Sequence, residues 1–146
     1  LIVLDLITSN SPILEWETLD LEGIEPFTLV LFQEGKLYQL RWNEIKKEAI
    51  VLDATQSHIW SSSTLYTDDA KEMRKNLFNN CKANNRFSKD AILNFHHSQI
   101  GDKEQSILMK RSYVETVSIT SVEKNDSSIE MNYEDIIHSK KIEIKF

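Results

Sequence analysis

The spacing of apolar residues changes period twice along this chain, and no other feature restricts its fold as strongly. Between Phe27 and Trp42 the apolar positions follow a strand pattern. From Thr67 to Phe95 they recur every three or four residues, and from Val114 to Phe146 they alternate again. A period of two marks pleated strands and a period near 3.6 marks helices. Strands, then two helices, then strands imply an α+β protein, an antiparallel sheet with its helices gathered in a layer.

The segments can be placed more closely. Residues 1–7 form a short apolar segment stopped by Thr8-Ser9-Asn10-Ser11-Pro12. Ile13, Trp16 and Leu19 recur at helical spacing. Pro26 precedes a strand over 27–33, apolar on both faces and so expected to be covered on both. Glu34-Gly35 reverses the chain into a second strand over 36–42. A third strand over 49–53 and a fourth over 58–61 continue the meander. The first main helix begins near Thr67, with Asp68 and Asp69 ahead of Lys71 and Arg74, in the order the helix dipole favours. Its apolar stripe is Ala70, Met73, Leu77 and Cys81. Residues 79–85 read as the connection to a second helix, capped by Ser88 and burying Ile92 and Phe95. Val114 to Val122, Ile129 to Tyr133 and Ile142 to Phe146 supply the last strands.

Composition narrows the function classes. The 146 residues carry a formal charge of −6, which argues against a nucleic-acid partner, since that needs a basic face. One cysteine excludes an internal disulfide framework. No apolar run approaches the length of a membrane span, and residues 1–7 lack the flanks of a signal peptide, so a cytoplasmic location is expected. Only three glycines and two prolines are present, and no Gly-rich phosphate cradle or CxxC occurs. No cofactor is expected. The chain opens on Leu1 without a methionine, so the expectation is one domain over 1–146 that lacks its amino-terminal part.

The candidate chemistry centres on His58-Ile59-Trp60-Ser61-Ser62-Ser63-Thr64-Leu65-Tyr66. Four consecutive hydroxyls can cap a helix, satisfy backbone donors, or line a polar site with His58 and Tyr66. A Ser/His/acid triad has no supporting motif here. Arg74 follows on the next helix, with no acid three or four residues away to hold it. It is either a solvated helix arginine or a group that meets a carboxylate or oxyanion beside the hydroxyls. His96 and His97 point about 100° apart on a helix and do not chelate one metal; His96 is expected to face the core and His97 the solvent. Cys81 is expected to be an apolar filler.

Three stretches together resemble the carboxyl-terminal part of the NRDE family, also called the transport and Golgi organisation family. They are the 58–66 motif followed by Arg74 and Phe78, then Ile92-Leu93-Asn94-Phe95-His96. The third is Ser106-Ile107-Leu108-Met109-Lys110-Arg111 leading into Glu115-Thr116-Val117-Ser118-Ile119-Thr120 and Met131-Asn132-Tyr133. The family is similar to the N-terminal nucleophile hydrolases, so the resemblance implies a four-layer αββα sandwich. It also implies amide or acyl hydrolysis by an amino-terminal cysteine whose own α-amino group is the base. Neither that cysteine nor the Asn-Arg-Asp-Glu motif occurs here, and Cys81 is internal. The resemblance therefore implies the rear of the sandwich and a site wall: Arg74 ordering the nucleophile's surroundings, Ser61 and Ser62 near the oxyanion, with His58, Ser63, Thr64 and Tyr66 toward the ligand. Two alternatives stand beside it, a non-catalytic binder of an acyl or haem-like ligand and a structural or interaction module. The expected partners are the absent amino-terminal portion or a second subunit covering the sheet, and a small amide- or acyl-containing ligand.

Overall fold

The computed structural model describes residues 2–62, 66–84, 88–100 and 106–146. They hold four helices and two three-stranded antiparallel sheets, so the protein is α+β. They fall into two compact units, Leu1–Thr67 and Asp68–Phe146.

The first unit is built from α1 (Ile2–Thr8), α2 (Pro12–Thr18) and the meander β1 (Phe27–Gln33), β2 (Lys36–Trp42) and β3 (Lys47–Leu52). The opening apolar segment is thus helical, with Leu6 its buried residue. Glu34 and Gly35 both have positive φ, 51° and 75°, which suits a two-residue hairpin whose twist matches that of the strands. The register pairs Leu29 with Leu40 and Leu40 with Ala49. That alternation puts Phe27, Leu29, Leu31, Tyr38, Leu40 and Trp42 on one face. Leu6, Trp16, Leu21 and Leu40 form the core there, and Trp16 meets Phe27 edge to face at 5.8 Å. Thr28, Val30, Phe32, Leu37, Gln39 and Ile50 lie on the opposite face.

One lysine ties the helical layer to the sheet. Lys47 Nζ, at the start of β3, donates to the carbonyls of Trp16, Glu17 and Leu19 at 3.1, 2.8 and 2.8 Å. These lie at the end of α2, where carbonyls lack helical donors and the dipole favours a cation.

The second unit comprises α3 (Asp68–Asn84), α4 (Lys89–His96) and the meander β4 (Ser118–Lys124), β5 (Ile129–Asp135) and β6 (Lys140–Lys145). The helix α3 runs through most of the stretch read as a connection, because its polar residues occupy exposed positions. Its most deeply buried stripe is Ala70, Arg74 and Phe78, one position round from the stripe the apolar spacing suggested. Phe78 meets Phe95 of α4 edge to face at 5.7 Å. Ser88 caps α4 as expected, its Oγ accepting from the Ala91 amide at 3.2 Å.

The register of the second sheet sorts its residues unusually. Ser121 pairs with Asn132, which pairs with Glu143, and Glu130 pairs with Lys145, so one face is polar. Helix α4 docks on that face. Lys89 Nζ reaches Glu123 at 3.1 Å and Glu130 at 2.6 Å, and His97 Nε2 lies 3.0 Å from Glu134 Oε2. The other face carries Val122, Met131, Tyr133, Ile142 and Ile144, and much of it is open: Val122 is 65% exposed, Ile142 55% and the following Phe146 73%. No helix among the described residues is long and apolar enough to cross a membrane.

Candidate functional site

The segment that follows β3 begins with a tight turn. The Asp53 carboxylate accepts from the Thr55 amide at 2.9 Å and its hydroxyl at 2.7 Å, and these bonds hold the carboxyl below its usual range. The turn aims His58 back, so that its Nε2 lies 2.8 Å from the Asp53 carbonyl oxygen. A carbonyl only accepts, so Nε2 carries the proton and Nδ1 is the nitrogen left for other work. The imidazole stacks at 5.6 Å, tilted 31°, on Trp60. The Trp60 indole N–H donates to Gln39 Oε1 at 2.8 Å. Gln39 projects from the face of β2 opposite Leu40, so residues 58–60 run over that face. They do so as irregular chain and not as the fourth strand that the sequence suggested, because their polar groups bond to the turn and to one side chain of the sheet.

Ser61 is half-buried, Ser62 exposed and Tyr66 half-buried. Ser63 and Thr64 lie outside the described residues. His58 donates to the backbone carbonyl of Asp53 and not to its carboxylate, and among the described residues no carboxylate oxygen lies within hydrogen-bond distance of the ring. Among the described residues, no serine–histidine–acid relay is assembled around His58.

Arg74 belongs to the second unit, and its environment corrects one of the two readings: it is not solvated. It is 8% exposed, between Ala70 and Phe78 on the buried stripe of α3, and its Nη2 donates to the carbonyl oxygen of Ser106. Ser106 is fully buried, and its Oγ donates to the Leu108 carbonyl at 2.6 Å. A guanidinium stays charged when buried and needs such acceptors around it. The structure thus brings His58 together with the Trp60 platform in one unit, and Arg74 together with the Ser106 loop in the other.

The two histidines of α4 exchange their expected positions. His96 is solvent-exposed at one edge and packs against Phe95, while His97 is half-buried against Glu134. Partial burial of His96, with His97 and Arg74 nearby, lowers its pKa from 6.5. Cys81 lines a groove of about 650 Å³ between α3 and α4, with Leu77, Asn94, Phe95 and Ser98. Its thiol approaches the Ala91 carbonyl at 3.9 Å. No group of three or more metal-ligating side chains occurs among the described residues.

Sequence reasoning missed Lys47, Gln39 and the Lys89–Glu130 pair. The alternation of Glu130, Asn132 and Glu134 with Met131 and Tyr133 was visible, but which face α4 would take was not. In comparisons with family models, with curated proteins and with solved structures, nothing matches this chain.

Proposed function

We propose that this chain is part of a layered amide- or acyl-handling domain of the N-terminal-nucleophile type, contributing sheet and helix layers and a hydroxyl-bearing wall but no nucleophile. One observation carries the reading. In the second unit the helix is docked on the polar face of the sheet, and the apolar face is left open. A lone two-layer domain would do the reverse and bury its apolar face against its helix. An αββα sandwich needs what is seen, a sheet whose outer face takes a helix and whose apolar inner face waits for a second sheet. The first unit differs: α1 and α2 cover the Leu40 face, and Val30, Phe32 and Ile50 are partly exposed on the other.

In this reading Ser61, Ser62 and Tyr66 lie toward the ligand, His58 orients the segment, and Arg74 holds the loop around Ser106 in place. The wall would meet a carbonyl oxygen with hydroxyl donors, and the attacking group would lie outside these residues. The test has two arms. Titration calorimetry with a long-chain acyl-CoA should show binding by the full chain that weakens when Ser62 is replaced by Ala. Incubation with chromogenic amide and ester substrates should show no turnover. Absence of binding at saturating acyl-CoA would defeat the ligand assignment. Turnover by this chain alone would defeat the assignment of the nucleophile elsewhere.

A further inference from the structure

The formal charge of the chain is divided unevenly. Leu1–Thr67 carries ten acidic and four basic residues, a balance of −6, and Asp68–Phe146 carries thirteen of each. The whole net charge therefore belongs to the first unit. One-sided charge of this kind draws in partners of opposite sign.

Part of that charge borders a groove of about 550 Å³ between the loop after α2 and the end of β2. Leu19, Ile24 and Trp42 give the groove its apolar surface. Asp20, Glu22, Glu25 and Glu44 line it with carboxylates.

The loop is held in place. The Asp20 carboxylate accepts from the Glu22 amide at 3.0 Å, and the Ile24 amide donates to the Leu21 carbonyl at 3.1 Å. The Trp42 indole N–H donates to the Ile24 carbonyl at 2.8 Å, which ties the ring to the loop. Among the described residues, Lys47 is the one cation in the lining, and its ammonium is already engaged by three carbonyls at the end of α2. No ion pair among the described residues includes any of the four acids.

The arrangement discriminates between kinds of cation. A metal ion needs carboxylates that converge on one point, and among the described residues no three acidic, histidine or cysteine side chains do so. Carboxylates spread along an apolar groove suit an extended ligand whose side chains combine an apolar stem with a cationic head. Arginine fits best, because its guanidinium stacks on an indole and forks onto a carboxylate. The volume takes a few side chains and not a folded domain.

We propose that this groove docks an arginine-containing basic segment of a partner protein. The arginine stems lie on Leu19, Ile24 and Trp42, and the guanidinium groups meet the surrounding carboxylates. This inference is independent of the function proposed above.

The probe is a fluorescein-labelled octapeptide of alternating arginine and alanine, titrated with the full chain by fluorescence anisotropy. It should bind, and less tightly as salt is raised. Glu22→Gln combined with Glu25→Gln should weaken binding about fivefold, the loss expected for two exposed ion pairs. Glu17→Gln combined with Glu34→Gln removes the same charge from the same unit outside the groove and should leave binding nearly unchanged. Circular dichroism checks that each variant is folded. If the groove variant fails to fold, nuclear magnetic resonance of the unaltered chain decides the matter: the peptide should shift the amides of residues 19–25 and the Trp42 indole N–H. No binding, equal weakening by the two charge-matched variants, or shifts confined to other residues would each overturn the proposal. Displacement of the peptide by millimolar calcium at constant ionic strength would also overturn it, by assigning the carboxylates to a metal ion.

Discussion

Replacing Lys47 with methionine isolates the contribution of one ammonium group to the first unit. Methionine keeps the length and most of the apolar stem, so the loss is confined to the charge and its three hydrogen bonds to Trp16, Glu17 and Leu19. A hydrogen bond with a charged partner contributes about 1.5–3 kcal/mol where it is sheltered. Lys47 is half-buried, so water replaces part of what is lost, and the three bonds share one donor group. The helix that it caps has only two turns and does not hold itself together. The expected cost is about 1–2 kcal/mol. Urea unfolding followed by tryptophan fluorescence suits the measurement, because Trp16 is 2% exposed and lies at the end of the capped helix. The neighbouring Lys46→Met is the control. It removes only an exposed pair with Glu48 at 2.9 Å, and it should change stability by less than about 0.5 kcal/mol. Equal unfolding midpoints for the two variants would refute the capping role.

Three further outcomes are expected. Ser88→Ala should destabilise the second unit by about 1 kcal/mol through loss of the α4 cap, measurable as faster amide exchange in the first turn of that helix. Glu34→Asn should stabilise the hairpin by about 0.5 kcal/mol and Gly35→Ala should destabilise it by about 1 kcal/mol, read from unfolding midpoints. Both residues have positive φ, and an added Cβ at 35 meets nothing, so the effects are conformational. His96 should titrate below 6.5 by nuclear magnetic resonance, and His97→Gln should raise its midpoint by removing a neighbouring charge. The sign follows from the lowered value. The folded state binds this proton less readily than the unfolded one, so the contribution of His96 to stability is present above 6.5 and is lost as pH falls through the lowered midpoint. A midpoint above 6.5 would contradict it.

Much of this organisation was legible in the residues. The Glu34-Gly35 reversal, the first hairpin, the Ser88 cap and the alternation of β5 all follow from local chemistry that needs no tertiary partner. What was not legible depended on which face a neighbour takes. The residues after β3 carry strand-forming side chains, yet His58 bonds to a turn carbonyl and Trp60 to Gln39, and the segment leaves the ladder. The residues 79–85 look like a loop by composition, but a long helix tolerates asparagines on its wet side. Arg74 could be read two ways because no acid sits a turn away; its acceptor, the Ser106 carbonyl, is 32 residues distant in sequence. Of the candidate site, the residue types were readable, and their hydrogen-bond partners were not.

The strand order has a consequence for how the chain acquires its structure. Among the described residues, every strand pairs only with its neighbour in sequence, β1-β2-β3 and β4-β5-β6. The widest separation across the paired registers is that of Ser118 with Asp135. Contacts this local are cheap in loop-closure entropy and form early. During synthesis the first meander can close as soon as β3 has emerged, before strands β4 to β6 have been made.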